Sequence, residues 1–448
     1  MYQTLEPGNI DRLRKDFVDI RKISTRLFKP LRIEDAVMQS DAFGSPANWH
    51  ISHVTWFFQK ILEKYKSESL FFEESVNLEY LNSYYQKYES ILPKSRRGMF
   101  PRPAVSESMK YRDIIDNMVL SFLTDIEKSG QISEELIYDF ELANQHEMQH
   151  QELMTYDFQH YFQRFGDPSD RYEPLDVKLP RESPSHRPSA MAKIPGGIYR
   201  LGYSGDTFCY DNELPEHNVY LEPFEIDVTP VTNGDFVRFI ESGGYQDYSL
   251  WLADGWELLK EQNWQAPLYW RKESDIWVKK DLRQFSALDS DEPVTNISYY
   301  EADAYARWAK KRLPTEAEWE KAASWNENCQ RKTIYPWGDH HPTSRYANLL
   351  ESFTWGPSKV GSYPEGKSHY GCHQMIGDVW EWTSSEYILY PKFKSKFAEY
   401  TDKWSINQKV LRGGSFSTPA KQIRCSYRNY FKPHERIPFT GFRCVRDM

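Results

Sequence analysis

Asn144-Gln145-His146-Glu147-Met148-Gln149-His150-Gln151-Glu152 is the stretch on which the reading of this chain turns. It lies in a run without Pro or Gly, from about Ser133 to Phe165, whose apolar spacing is helical. On a helix, His146 and His150 stand one turn apart on one face. Two imidazoles so placed can bind one transition metal. A second pair, His50 and His53, lies upstream in Asn48-Trp49-His50-Ile51-Ser52-His53-Val54-Thr55-Trp56-Phe57-Phe58. If the two helices pack together, one of that pair completes a three-histidine site with open coordination positions.

Working outward, the pattern stays helical from about Asp11 to Phe165. Leu13, Phe17, Ile20 and Ile23 to Leu27 form a 3.6-period stripe. Ser45-Pro46 opens the His50/His53 helix, since Pro suits a first turn. Asn77 to Tyr88 reads as an aromatic helical piece. A basic loop with several prolines, Pro93 to Pro103, follows it. Val105 to Lys128 is the next helix, ended by Gly130, and Ser133 caps the helix of the histidine pair. Four or five such helices predict an antiparallel bundle, a fold whose core commonly houses metal sites.

From Gly166 to Lys193 the composition turns to Pro, Ser, Arg and Asp, which predicts a surface linker. From Ile194 the chain reads as short strands with many Gly and Trp, and two clear helices, Thr232 to Glu241 and Ser298 to Lys311. The expected organisation is multidomain, α then α+β: residues 1–166 a helical bundle with the metal site, 167–193 a linker, and 194–448 the second domain. The 448 residues suffice for two cores. A formal net charge of -9 argues against nucleic acid or an acidic membrane as partner. No apolar run reaches the roughly 20 residues that span a bilayer, and the N-terminus lacks signal-peptide character. Five scattered cysteines read as reduced thiols. The expected location is the cytoplasm.

The second half resembles the formylglycine-generating-enzyme fold, which is C-type-lectin-like. The matching pieces are Pro195-Gly196-Gly197, Pro293 to Ser298, Arg312 to Glu320, Tyr335-Pro336-Trp337-Gly338, Gly377 to Trp382 and Arg412-Gly413-Gly414-Ser415. The sulfatase-activating oxidases of that fold carry a cysteine pair after this last motif. Here Phe416 to Cys425 holds one cysteine, so the fold is implied without that activity. The first half looks like a DinB-type bundle. A bundle followed by a lectin-like domain is the layout of the ergothioneine-biosynthetic sulfoxide synthases (EgtB type), and that resemblance runs over essentially the whole chain. It implies a mononuclear non-haem Fe(II) enzyme that uses O2 to join a thiol sulfur to imidazole C2 of hercynine, giving a sulfoxide.

The resemblance places the metal ligands at His53, His146 and His150, with His50 supporting or structural. Three neutral imidazoles leave iron positions for thiolate, imidazole and O2. Gln149 becomes a candidate contact to the bound imidazole. Tyr84 and Tyr85 match the active-site tyrosines of cysteine-using members, and Tyr387 and Tyr390 lie where γ-glutamylcysteine-using members carry theirs. A phenol at the reacting centre can donate a proton and steer the outcome towards C–S bond formation. Arg97 and Arg102 could fork onto a substrate carboxylate, whereas Arg96 reads as surface charge. Asn429 matches a hercynine-contacting asparagine, and Tyr430 or Trp382 could face its quaternary ammonium. Phe431 stands where γ-glutamylcysteine-using members place an Asp that binds the substrate amine. An apolar ring cannot pair an ammonium, which favours L-cysteine as sulfur donor.

Other readings remain open at this stage. Ovothiol-type synthases act on histidine and typically carry a further methyltransferase domain, so the ending at Met448 sets the expectation against them. Selenoneine synthases share the architecture and take a selenosugar. His146-Glu147-Met148-Gln149-His150 also spells H-E-x-x-H, in which Glu147 would activate zinc-bound water in a hydrolase. A metal-free lectin-like binding module is the last alternative.

Overall fold

Ile10, Leu13, Phe17, Ile20 and Leu27 are all buried along helix α1 (Pro7–Phe28), and each such side chain contributes about 1.5–3 kcal/mol. In the computed structural model, residues 7–66, 81–82, 93–99, 103–164, 172, 190–282, 285–396 and 402–448 are described. After the single turn α2 (Ile33–Ala36), helices α3 (Ala47–Lys66), α4 (Val105–Ser129) and α5 (Glu134–Arg164) follow. Among the described residues, helices α1 and α3 each pack on α4 and α5, so these four form a bundle. Gly130 ends α4 in the left-handed region, at φ 68°, and donates its N–H to Ile126 O. Ser133 Oγ then accepts the Leu136 N–H at 3.1 Å and opens α5. The expected helix Asn77 to Tyr88 lies outside the described residues, apart from Leu81 and Asn82.

The chain divides into two compact units, 1–175 with 206–208, and 176–205 with 209–448. Most of the expected linker lies outside the described residues, and two of its described parts depart from expectation. Tyr172 is buried in the first unit, with its hydroxyl donating to Leu27 O and its ring on Phe158. Met191, Ala192 and Lys193 already belong to strand β1 (Met191–Ile194). An aromatic ring or an alternating pair in a polar stretch can dock locally without a periodic signal.

In the second unit β1 is followed by β2 (Gly197–Leu201), β3 (His217–Leu221) and β4 (Phe224–Asp227). An outer antiparallel sheet is built from β5 (Trp270–Glu273), β6 (Ile276–Lys280) and β7 (Phe285–Ala287). The ribbon β8 (Trp325–Asn326) with β9 (Arg331–Lys332) is followed by β10 (Trp380–Glu386), β11 (Lys409–Arg412), β12 (Asn429–Phe431), β13 (Thr440–Gly441) and β14 (Val445–Asp447). The sheets are β1-β4-β14, β12-β11-β10-β13 and the hairpin β2-β3, with β10 and β13 parallel. The two expected helices are present as α6 (Asn233–Glu241), capped by Thr232, and α8 (Tyr299–Trp308), capped by Ser298 and ending three residues short of Lys311. Two further helices were not expected, α7 (Ala253–Glu261) and α9 (Glu316–Ser324). Small interleaved sheets, short helices and long connections give the α+β, C-type-lectin-like unit. Among the described residues no helix is long and apolar enough to cross a membrane.

Candidate metal centre

Helix α5 is buried over most of its circumference, including the polar run Asn144 to Glu147. Buried polar side chains need partners, and those of His146 and Glu147 come from α1, α3 and α4. His53 on α3 and His146 and His150 on α5 each present a ring nitrogen, all within 4.8 Å of one another. His53 Nε2 and His146 Nε2 are 3.2 Å apart. Adjacent nitrogens bound to one ion at ordinary bond lengths stand about 3.0–3.4 Å apart, so the spacing fits. His53 Nδ1–H donates to Leu81 O at 2.5 Å, leaving Nε2 as the lone pair. Burial is the largest cause of all three depressed pKa values, with the neighbouring imidazoles adding to it for His53 and His150. His146 is pushed down to about 3. Three neutral, buried, converging imidazoles form a donor set that fits a transition metal.

His50, also buried, stands behind the cluster. Its Nδ1 is 2.7 Å from His150 Nδ1, and its Nε2 is 2.8 Å from Asp157 Oδ2. Burial, reinforced by the Arg97 and Lys94 charges, outweighs Asp157 and lowers the pKa of this ring as well. Two indoles flank the ligand on α3: Trp49 stacks on His53 at 4.3 Å and 12°, and Trp56 at 5.8 Å and 20°. The Arg97 guanidinium lies 3.5 Å over the outer face of Trp49. Gln39 holds the turn that carries Arg97, its amide donating to Lys94 O and its carbonyl accepting from Gly98 N.

Glu147 is turned away from the histidines. Its Oε1 accepts from Ser24 at 2.6 Å and Arg112 at 2.7 Å, and its Oε2 from Arg21 at 2.8 Å. Burial raises its pKa, but Arg112 and Arg21 outweigh that and hold the carboxyl down to about 2. Successive helical residues diverge by about 100°, so the ligand beside it cannot bring it round. The H-E-x-x-H hydrolase reading is therefore corrected: Glu147 is a structural anion, not a base facing a metal-bound water.

The other sequence candidates are placed as follows. Tyr84, Tyr85 and Arg102 lie outside the described residues. Gln149 is half-buried on α5, one residue before His150. Arg97 is buried, donating Nη1–H to Ser45 Oγ at 2.7 Å, and Arg96 is exposed. In the second unit Tyr387 stacks on Tyr430 at 3.9 Å, and its hydroxyl accepts from Asn212 Nδ2 at 3.1 Å. Burial pushes that phenol up to about 12. Tyr390 is packed instead under the Arg428 guanidinium at 4.1 Å and accepts from Arg412 at 3.3 Å. Both arginines pair with Glu316, so Tyr390 belongs to a buried ion network. Trp382 is wholly buried, with its indole N–H on Ile297 O. Asn429, Tyr430 and Phe431 follow one another along β12, so Asn429 and Phe431 share one face and Tyr430 takes the other. All five cysteines are free thiols, and Cys425 is buried without a cysteine partner.

Reading the sequence missed Asp157. Its signal was present, because His146, His150 and Asp157 fall at i, i+4 and i+11 on one helix face. The partners of Glu147 had no local signal at all.

Residues 177–448 match the sulfatase-modifying factor enzyme 1-like domain. A hercynine oxygenase of Mycolicibacterium smegmatis is 36% identical over 324 residues, covering 69% of this chain and 72% of that protein. One from Mycolicibacterium thermoresistibile is 33% identical over 376 residues, covering 81% and 80%. One from Mycobacterium tuberculosis is 41% identical over 240 residues, covering 53% and 56%.

Proposed function

Because the chain belongs to the hercynine oxygenase family of sulfoxide synthases, with a sulfatase-modifying factor domain, we propose that it is an Fe(II)- and O2-dependent enzyme joining L-cysteine to hercynine. The observation that carries this reading is the buried convergence of His53, His146 and His150. These three residues would hold the iron. Bound there, a ferrous ion supplies the electron transfer that ground-state O2 needs to react. The overall reaction balances without an outside reductant: hercynine C2–H, a thiol S–H and O2 give a C–S(=O) linkage and one water.

The remaining roles belong to the chain. The neutral imidazoles keep their lone pairs for the metal, and the Trp49 and Trp56 rings keep water from one side of His53. Tyr84 and Tyr85, which match the tyrosines of cysteine-using members, are the proposed acids. Tyr387, whose hydroxyl accepts from Asn212, is the competing candidate. Arg97, Arg102 and Gln149 are proposed to bind substrate, with Asn429 contacting hercynine. Phe431, on the same strand face as Asn429, offers no anion to a γ-glutamyl amine, which supports L-cysteine as the donor.

The test is O2 uptake by anaerobically Fe(II)-loaded protein given both substrates and each alone, with mass spectrometry of the products. Uptake that needs both, with a hercynyl-cysteine sulfoxide mass, is expected. Uptake with cysteine alone would make the protein a thiol dioxygenase and overturn the reading.

A further inference from the structure

His150 can give a metal its Nε2 lone pair only if its ring proton sits on Nδ1, and the chain carries a device that puts it there. We propose that Asp157 and His50 are a positioning pair that locks His150 in its metal-binding tautomer and orientation. The Ser45 backbone N–H donates to Asp157 Oδ2 at 3.0 Å, so that oxygen is an acceptor. The same oxygen lies 2.8 Å from His50 Nε2, which therefore carries the proton. A neutral imidazole has one N–H, so His50 Nδ1 is a lone pair. It faces His150 Nδ1 at 2.7 Å, so His150 donates from Nδ1 and keeps Nε2 free. With both rings neutral, the direction of every bond in the chain follows from one backbone amide.

Two further features show that the carboxylate is held in place. Asp157 lies two turns beyond His150 on the same face of α5, and His50 lies one turn before His53 on α3, so the pair bridges the two ligand-bearing helices. The backbone of Gly44 passes so close that a Cβ there would sit 2.2 Å from Asp157 Oδ1. A side chain at residue 44 would push the carboxylate off His50. Groups that orient a metal-binding histidine typically change metal affinity 10–100-fold when removed.

The inference rests on the reading that His53, His146 and His150 bind a metal, and the experiment separates the two. Metal-free full-length protein is titrated with Co(II), followed by calorimetry and by visible absorption, for the parent, His53→Ala, His50→Phe, His50→Gln, Asp157→Asn and Gly44→Ala. Circular dichroism of each metal-free variant checks folding. One Co(II) should bind the parent, and His53→Ala should lose it. His50→Phe and Asp157→Asn should still bind one ion, but 10–100-fold more weakly and with a shifted Co(II) spectrum. His50→Gln keeps an acceptor and a donor and should recover most of the affinity. Gly44→Ala, which touches no ring, should weaken binding in the same direction. Should His50→Phe fail to fold, Asp157→Asn and Gly44→Ala decide. Affinities within twofold of the parent and an unchanged spectrum in those two would overturn the proposal. A parent that binds no Co(II), or a His53→Ala variant that binds as the parent does, would overturn the three-histidine reading and this one with it.

Discussion

Glu147 adjoins His146 in sequence and faces the opposite way in space, held by Arg21, Arg112 and Ser24. Its folded carboxyl titrates at about 2 instead of 4.5, so the ionised form is the stabilising one. That contribution is complete above about 4.5 and drains away as pH falls towards 2. Removing one partner of a buried pair costs about 3–5 kcal/mol. Urea denaturation of Glu147→Gln should show a loss of that size at pH 7, with the gap to the parent narrowing below pH 4.5. Stoichiometric metal binding should survive, because Glu147 is not a ligand; loss of the metal would contradict the geometry. A second substitution addresses the sulfur donor. Phe431→Asp restores a carboxylate beside Asn429 and should raise kcat/KM for γ-glutamylcysteine relative to L-cysteine by about tenfold or more, equivalent to ~1.4 kcal/mol. Competition assays with both thiols would read it, and an unchanged ratio would count against the assigned role. The histidine pair was legible because i,i+4 spacing is local. The partners of Glu147 sit 126, 123 and 35 residues away, and no local pattern announces them.

At the scale of elements, helix ends were the most legible feature. Ser133 caps where the sequence places a cap, and the expected helix starts Thr232 and Ser298 are themselves caps, because capping is a contact within three residues. The joint between α4 and α5 allows a clean measurement. Nothing lies within 4 Å of a Cβ built on Gly130, whose φ is 68°. Gly130→Ala should therefore cost only backbone strain, about 1 kcal/mol, and Ser133→Ala about 1 kcal/mol for the lost cap. The two should combine nearly additively in chemical denaturation, since each acts on its own helix end. Helix α9 escaped notice for a physical reason. Every residue from Glu316 to Ser324 is buried, so no polar face alternates with an apolar one and the 3.6-residue signal disappears. Its charges are consumed instead by Arg412, Arg428 and Lys332.

For the whole molecule, the sequence announced the division by a change of texture, from helical periodicity to short strands rich in Gly and Trp. The detailed strand order was not legible, because β10 pairs with β11 and β13, and β4 with β1 and β14, across long stretches of chain. All three candidate ligands belong to the helical unit. Ligand binding to the folded state alone stabilises it by about 2.7 kcal/mol at a hundredfold excess over Kd. Scanning calorimetry with and without Co(II) should raise the melting of the helical unit; a shift confined to the second unit would place the metal elsewhere. Finally, the indoles stacked on His53 make the chain report on itself. Trp49 lies 4.3 Å from a ring that would hold the ion, well inside the range at which a paramagnetic or light-absorbing metal drains an excited indole. Stepwise loading with Co(II) should darken part of the tryptophan emission in proportion to occupancy. Replacing both Trp49 and Trp56 by Phe should remove most of that quenching while leaving the ligands intact, giving an optical gauge of metal content that needs no label.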